Sequence, residues 1–259
     1  MSKKRYLKVI DSFKYKIRHL LKKSKLIVGF YNLYKMIFKH SIYEDGIITT
    51  NYSDFKSSEK FLNAYDQALK FQPETSIRWR AHVANWFSQQ ALRLEGDFVE
   101  CGVNNGFLAH CIVTYNSFEK FPQKSFYLID TYEGLVDSLV SEKDTAAYWN
   151  EYTSNYETVV DAFSPYKNVN VVKGVVPYCL EALPIQKVAY LSIDMNCEKP
   201  EIDAMAFFWD KLVSGGIIVL DDYGFIGHEA QKEGADNFAA SHGVEVLTLP
   251  TGQGIIMKP

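Results

Sequence analysis

Asp194, Asp221 and Asp222 are carboxylates that stand where an apolar run stops, Val188–Ile193 before the first and Gly215–Leu220 before the adjacent pair. Grouped oxygens of this kind suit Mg²⁺ or a similar divalent cation, whose remaining positions fill with water or substrate. Three such groups at one rim would repel one another without a cation. A divalent ion on a hydroxyl lowers its pKa and fixes its position, so the chemistry on offer is activation of a poor oxygen nucleophile. His228 follows Asp222 by six residues, and a side chain titrating near neutrality suits proton removal. Structural alternatives stand beside these roles: Asp222 capping the next helix, His228 as a polar junction residue, and Asp194 sufficing as the base.

A second group lies upstream. In GDFVECGVNNG (96–106) an apolar strand runs into a turn punctuated by Gly102 and Gly106, with the acid Glu100 two residues before the first glycine. The spacing is Glu-x-Gly-x-x-x-Gly, one glycine short of a pyrophosphate-binding turn. It fits a turn that wraps the uncharged edge of a nucleoside while an acid meets an ammonium group, which points to S-adenosylmethionine. Glu100 is the candidate for the methionine end, and its structural alternative is a buried acid held by backbone amides. Asp130 ends the next apolar run, FYLID, and is the candidate for ribose hydroxyls.

These residues require a parallel sheet whose carboxyl ends share one edge. Five strands are predicted, at 96–101, 125–130, 169–174, 188–194 and 215–222. Helices are predicted over 79–94 and 229–242, the latter stopped by Gly243. Val244–Pro250 and Gly254–Lys258 read as strands joined by Thr251-Gly252-Gln253, a turn short enough to permit only antiparallel pairing. The fold class is α/β: a Rossmann-like sheet of five parallel strands plus a C-terminal antiparallel hairpin.

That arrangement, with GDFVECGVNNG, FYLIDTYEGL, LSIDMNCEKPE, FFWDKLVSGGIIVLDDYGFIGHEAQ and LPTGQGIIMK, resembles the class I S-adenosylmethionine-dependent methyltransferases of the macrocin O-methyltransferase (TylF-type) family over residues 75–259. The resemblance implies a divalent-metal-dependent enzyme that methylates sugar hydroxyls, with Asp194, Asp221 and Asp222 at the metal. Many members carry Asp-x-Asp after the fourth strand. Here Asn196 takes the second place, which removes one candidate oxygen.

Charge divides the chain. Residues 1–40 hold 12 of the 28 basic residues and one of the 31 acids, leaving 16 and 30 to the other 219. In the first segment Tyr6, Val9, Ile10, Phe13, Ile17, Leu20 and Leu21 form an approximate helical stripe opposite Lys and Arg. This reads as an amphipathic arm for an anionic membrane surface, or as a solvated or self-docking basic helix. The acidic remainder would repel nucleic acid. Residues 41–95 are expected to be a helical extension in which Arg78, Trp79, Arg80 and His82 pack a helix face or, as the alternative, line a site. Residues 96–259 form the catalytic domain.

An insertion at 131–168, with Tyr132, Glu133, Tyr148, Trp149, Tyr152 and Tyr156, is placed as a lid that either contacts the acceptor or packs as core. Cys101, Cys111, Cys179 and Cys197 show no paired spacing. With no secretory signal and no run of membrane-spanning length, the expected location is the cytoplasm, peripheral on the inner membrane face through the arm. The expected activity is O-methylation of a sugar hydroxyl in a surface polysaccharide, glycolipid or glycosylated metabolite. The rivals are a catechol or phenol acceptor, or a non-catalytic membrane-recruited scaffold. Homo-oligomerisation is left open.

Overall fold

The structure, a computed structural model, describes residues 42–49, 51–73, 75–144 and 155–259. The basic arm (1–40) and Tyr148, Trp149 and Tyr152 of the insertion lie outside the described residues. No helix among the described residues is long and apolar enough to cross a membrane.

A two-stranded sheet opens the described chain, β1 (Ile42–Glu44) and β2 (Ile47–Thr49). This differs from the helical extension expected over 41–95. The cause is local: Asp45 and Gly46 both take positive φ (54° and 75°), the backbone a two-residue hairpin requires. Helices α1 (Glu59–Ala68) and α2 (Arg78–Ala91) follow. No side chain of the Thr75-Ser76 pair caps α2, whose N-cap is Ile77. The Tyr65 hydroxyl instead accepts the Ile77 N–H at 2.9 Å and donates to the Thr75 carbonyl at 3.0 Å.

The main sheet comprises β3 (Asp97–Cys101), β4 (Phe126–Asp130), β5 (Val169–Lys173), β6 (Val188–Ile193), β7 (Leu212–Leu220), β8 (Leu247–Thr248) and β9 (Gly254–Met257). Its order is β5-β4-β3-β6-β7-β9-β8. The first five strands pair in parallel, and β9 is antiparallel to both β7 and β8. The strand expected over Val244–Pro250 contracts to the exposed pair Leu247–Thr248. β7 begins at Leu212, three residues before the expected Gly215.

Alternation along the strands builds a core on each face. Phe98, Phe126, Leu128, Tyr190 and Val219 pack with α1, α2, α3 (Phe107–Asn116) and α4 (Tyr156–Phe163). Val99, Tyr127, Ile129, Leu191, Ile193 and Ile218 pack with α5 (Glu198–Trp209) and α6 (Glu229–Ser241). Cys101 and Cys111 are buried as small apolar residues.

His110 is buried on α3, its ring stacked against Phe71 and Phe163 at 4.1 Å from each. Burial pushes its pKa down to about 4. The unfolded chain takes this proton near 6.5 and the folded chain only near 4, so stability should fall as pH drops through that window, by about 3 kcal/mol at most. Urea melts of wild type and His110→Phe between pH 4.5 and 7 check this: the difference between the two stabilities should change with pH in the sense given, and parallel slopes would refute it. The second prediction concerns Gly102, where an added Cβ would stand 1.8 Å from the Asp194 carbonyl oxygen. Gly102→Ala should therefore lower the melting temperature and S-adenosylmethionine affinity together, whereas an unchanged titration would show that the turn can relax.

Candidate functional site

The carboxyl ends of β3, β4, β6 and β7 meet beside a cavity of about 490 Å³. Parallel sheets place ligands at this edge, where the connections diverge on either side of the central strand. One stretch of wall is apolar, from Ile129, Leu135, Val136 and Val176 with Gly174 beneath; another is polar, from Arg80, Asp194, Asn196, Asp222 and His228, with Phe225 and Ile226 at the side.

The turn after β3 is shaped by protein contacts. Gly102 (φ 88°) has its missing Cβ position occupied by the Asp194 carbonyl, and Gly106 (φ 76°) has its own occupied by the Phe163 ring, 2.7 Å from a built Cβ. The glycines were expected to clear space for a ligand; at both positions a neighbouring chain segment fills that space. Gly102 lines the cavity, whereas Gly106, Glu100 and Asp221 are not among its lining residues. Asp130 lines the cavity too, but its carboxylate is engaged with backbone. Oδ2 accepts the Val103 and Asn104 N–H groups at 2.7 and 2.8 Å, and Oδ1 accepts Tyr132 N–H at 2.7 Å. Asp130 thus fastens the end of β4 to the turn after β3.

Glu100 departs further from expectation. It is buried, and its Oε2 has no hydrogen-bond partner among the described residues. Burial, with Asp221 and Asp130 nearby, raises its pKa well above the usual carboxylate range. Glu100 therefore stands behind the residues that line the cavity, at the end of β3.

Asp194, Asp221 and Asp222 do converge: each offers an oxygen within 4.8 Å of the other two. Burial, then Asp222 and Asp221, raises the pKa of Asp194 well above normal. Burial and then Asp221 push Asp222 up to about 7. Asp194 in turn lies close enough to Asp222 to oppose part of that rise. Crowded carboxylates respond in this way when their charge is only partly offset.

The partial offset comes from Arg80, which the sequence reading left on a packed helix face. Its Nη1 donates to Asp221 Oδ2 at 2.6 Å, its Nε to Asp45 Oδ1 at 3.1 Å, and its backbone N–H to Asp45 Oδ2 at 2.8 Å. Gln253 Nε2 donates to the other Asp221 oxygen at 2.8 Å. Asn196 Nδ2 donates to Asp194 Oδ1 at 3.3 Å, so the residue in the Asp-x-Asp position supplies a donor in place of an oxygen. Three hard oxygens with one guanidinium still leave net negative charge, and this donor set fits a divalent cation.

His228 is buried at the N-cap of α6. Its Nδ1 lies 2.8 Å from Gln231 Nε2 and 3.6 Å from Asp222 Oδ2. Burial lowers its pKa, which keeps the ring neutral. The Gln231 side chain also faces the buried carboxyl of Glu201. His228, the candidate base, thus lines the cavity beside the acid cluster.

Sequence reasoning missed Gln253 and the apolar wall, and it held Arg80 only as an alternative site residue without its aspartate partners. Gln253 was treated only as a turn residue, and no local pattern in the sequence pairs it with an aspartate 32 positions earlier.

The macrocin-O-methyltransferase (TylF) family model matches residues 82–248. Among solved structures, the chain is similar to the O-methyltransferase NovP (TM-score 0.60, 20% identity, 69% of this chain and 79% of that one). It is also similar to CalS11, a calicheamicin methyltransferase (TM-score 0.59, 14% identity, 81% and 98%). A third is the Podospora anserina methyltransferase PaMTH1 in its SAH-bound form (TM-score 0.51, 14% identity, 91% and 97%). A search of curated protein sequences gives no match. At these identities the structural likenesses establish the fold, and the family model establishes the lineage. The chain belongs to the macrocin O-methyltransferase (TylF) family and is an S-adenosylmethionine-dependent O-methyltransferase.

Proposed function

We propose that the enzyme methylates a hydroxyl of a sugar-containing acceptor, assisted by Mg²⁺ or a similar divalent cation. The observation that carries this reading is the convergence of Asp194, Asp221 and Asp222 beside the cavity. CalS11 is described as a TDP-rhamnose 3′-O-methyltransferase, which makes a sugar hydroxyl the first acceptor class to test.

The apolar wall of Ile129, Leu135, Val136 and Val176 suits the adenine ring, and Asp130 Oδ1 at the end of β4 is the group we assign to the ribose. Asp194, Asp221 and Asp222 would hold the cation, which when bound acidifies a hydroxyl and fixes its orientation. Asp194 lines the cavity and is our assignment for the proton acceptor. His228 lines the cavity beside the cluster and is our second candidate for the proton acceptor. Arg80 holds Asp221 in place and limits repulsion within the cluster. Surface-glycan acceptors and a cytoplasmic, membrane-peripheral location are part of the same proposal, supported by the charge of residues 1–40.

Titration calorimetry with S-adenosylmethionine, followed by methyl transfer to TDP-rhamnose and to a catechol with and without EDTA, tests the reading. Micromolar cofactor binding, sugar methylation abolished by EDTA, and loss of at least about a hundredfold in turnover in a folded Asp194→Asn variant are expected. Full rates in EDTA would remove the cation, and methylation of the catechol alone would remove the sugar. For the arm, deletion of residues 1–40 should abolish binding to phosphatidylserine vesicles and leave cofactor affinity intact; vesicle binding that survives the deletion would exclude a membrane role for the arm.

A further inference from the structure

The turn after β6 carries Asp194, and the start of α6 carries His228. Both lean on a carboxylate that belongs to neither segment. Glu201 sits near the start of α5 and is 6% exposed. Its Oε1 accepts the backbone N–H of Met195 at 3.0 Å, and the Asn196 backbone N–H and the Gln231 side chain face it closely enough to favour its ionised form. Gln231 is itself 3% exposed and reaches His228 Nδ1 at 2.8 Å. Asn196 has a φ of 58°, a left-handed turn conformation that asparagine adopts more readily than most residues. One buried acceptor thus ties the turn of one segment to the imidazole of the other. Burial pushes the Glu201 carboxyl up to about 8, against which its hydrogen bonds favour the ionised form; a buried polar group of this kind is costly unless its bonds are satisfied.

We propose that Glu201 is a positioning residue for methyl transfer: it holds the Asp194 turn and, through Gln231, the ring of His228 in one fixed relation. This rests on the roles assigned above to Asp194 and His228. Glu201 itself touches no reacting atom. A glutamine in its place would set an amide donor among three donors, so Glu201→Gln should loosen both segments without removing bulk.

The test uses the full chain saturated with S-adenosylmethionine. Hydrogen exchange should speed up at Met195 and Asn196 in Glu201→Gln while β3 and β4 stay protected. The imidazole nitrogen NMR shifts of His228 should move in both Glu201→Gln and Gln231→Leu. Cofactor affinity should stay within about threefold, and kcat with TDP-rhamnose should fall roughly ten- to a hundredfold with little change in KM. Unchanged exchange and unchanged His228 shifts in a folded Glu201→Gln protein would overturn the proposal, as would equal losses in cofactor affinity and kcat. Should Glu201→Gln fail to fold, unaltered His228 shifts in Gln231→Leu would overturn it. Full turnover in Asp194→Asn would sink the catalytic assignment instead, and the exchange and nitrogen-shift readouts would still report on Glu201.

Discussion

Two adjacent parallel strands can deliver their ends to one place only if one chain yields room to the other. Here the yielding point is Gly102, against which the Asp194 carbonyl rests. The ladder continues past the formal strand ends on both sides of β3: Gly102 N–H donates to Ile129 at 2.9 Å and Asp194 N–H donates to Cys101 at 2.9 Å. That close passage draws the turn after β3 and the turn after β6 together, and Asp130 fastens the former from the other side. The cavity edge, the acid cluster and the helix starts of α3 and α5 all take their positions from it.

Charge sets the second constraint. Four elements distant in sequence each send a group to Asp221 or its neighbours: α2 through Arg80, β6 through Asp194, the loop after β7 through Asp222, and the final hairpin through Gln253. A guanidinium fixed between Asp221 and Asp45 lets the cluster persist in a folded chain while leaving it short of neutrality. The site therefore combines an internal counter-charge with unmet demand for a second one. Fixed dipoles and donors of this kind need little rearrangement when substrate arrives.

The sheet was legible because its signals are local: apolar runs of strand length, acids at their ends, and a connection of three residues that admits only antiparallel pairing. The cluster was legible for the same reason, since Asp194, Asp221 and Asp222 each close an apolar run. Arg80 was not, because its partner lies 141 residues away and a helix pattern ranks arginine as surface. Glu100 and the two glycines were singled out from a motif's spacing; that Glu100 is buried and that neighbouring chain stands where each glycine's Cβ would be cannot be read from letters. The hairpin at Asp45-Gly46 was readable from its turn residues and was passed over amid polar sequence.

Gln253 belongs to the last turn of the sheet, and β9 slots between β7 and β8 only after both exist. A chain emerging from the ribosome has all five parallel strands, the glycine turn and every aspartate of the cluster before that glutamine appears. Asp221 is then still missing one of its two side-chain donors. The last side-chain donor to Asp221 therefore arrives with the same short turn that brings β9 into the sheet, so closing the sheet and completing that aspartate's contacts are one step.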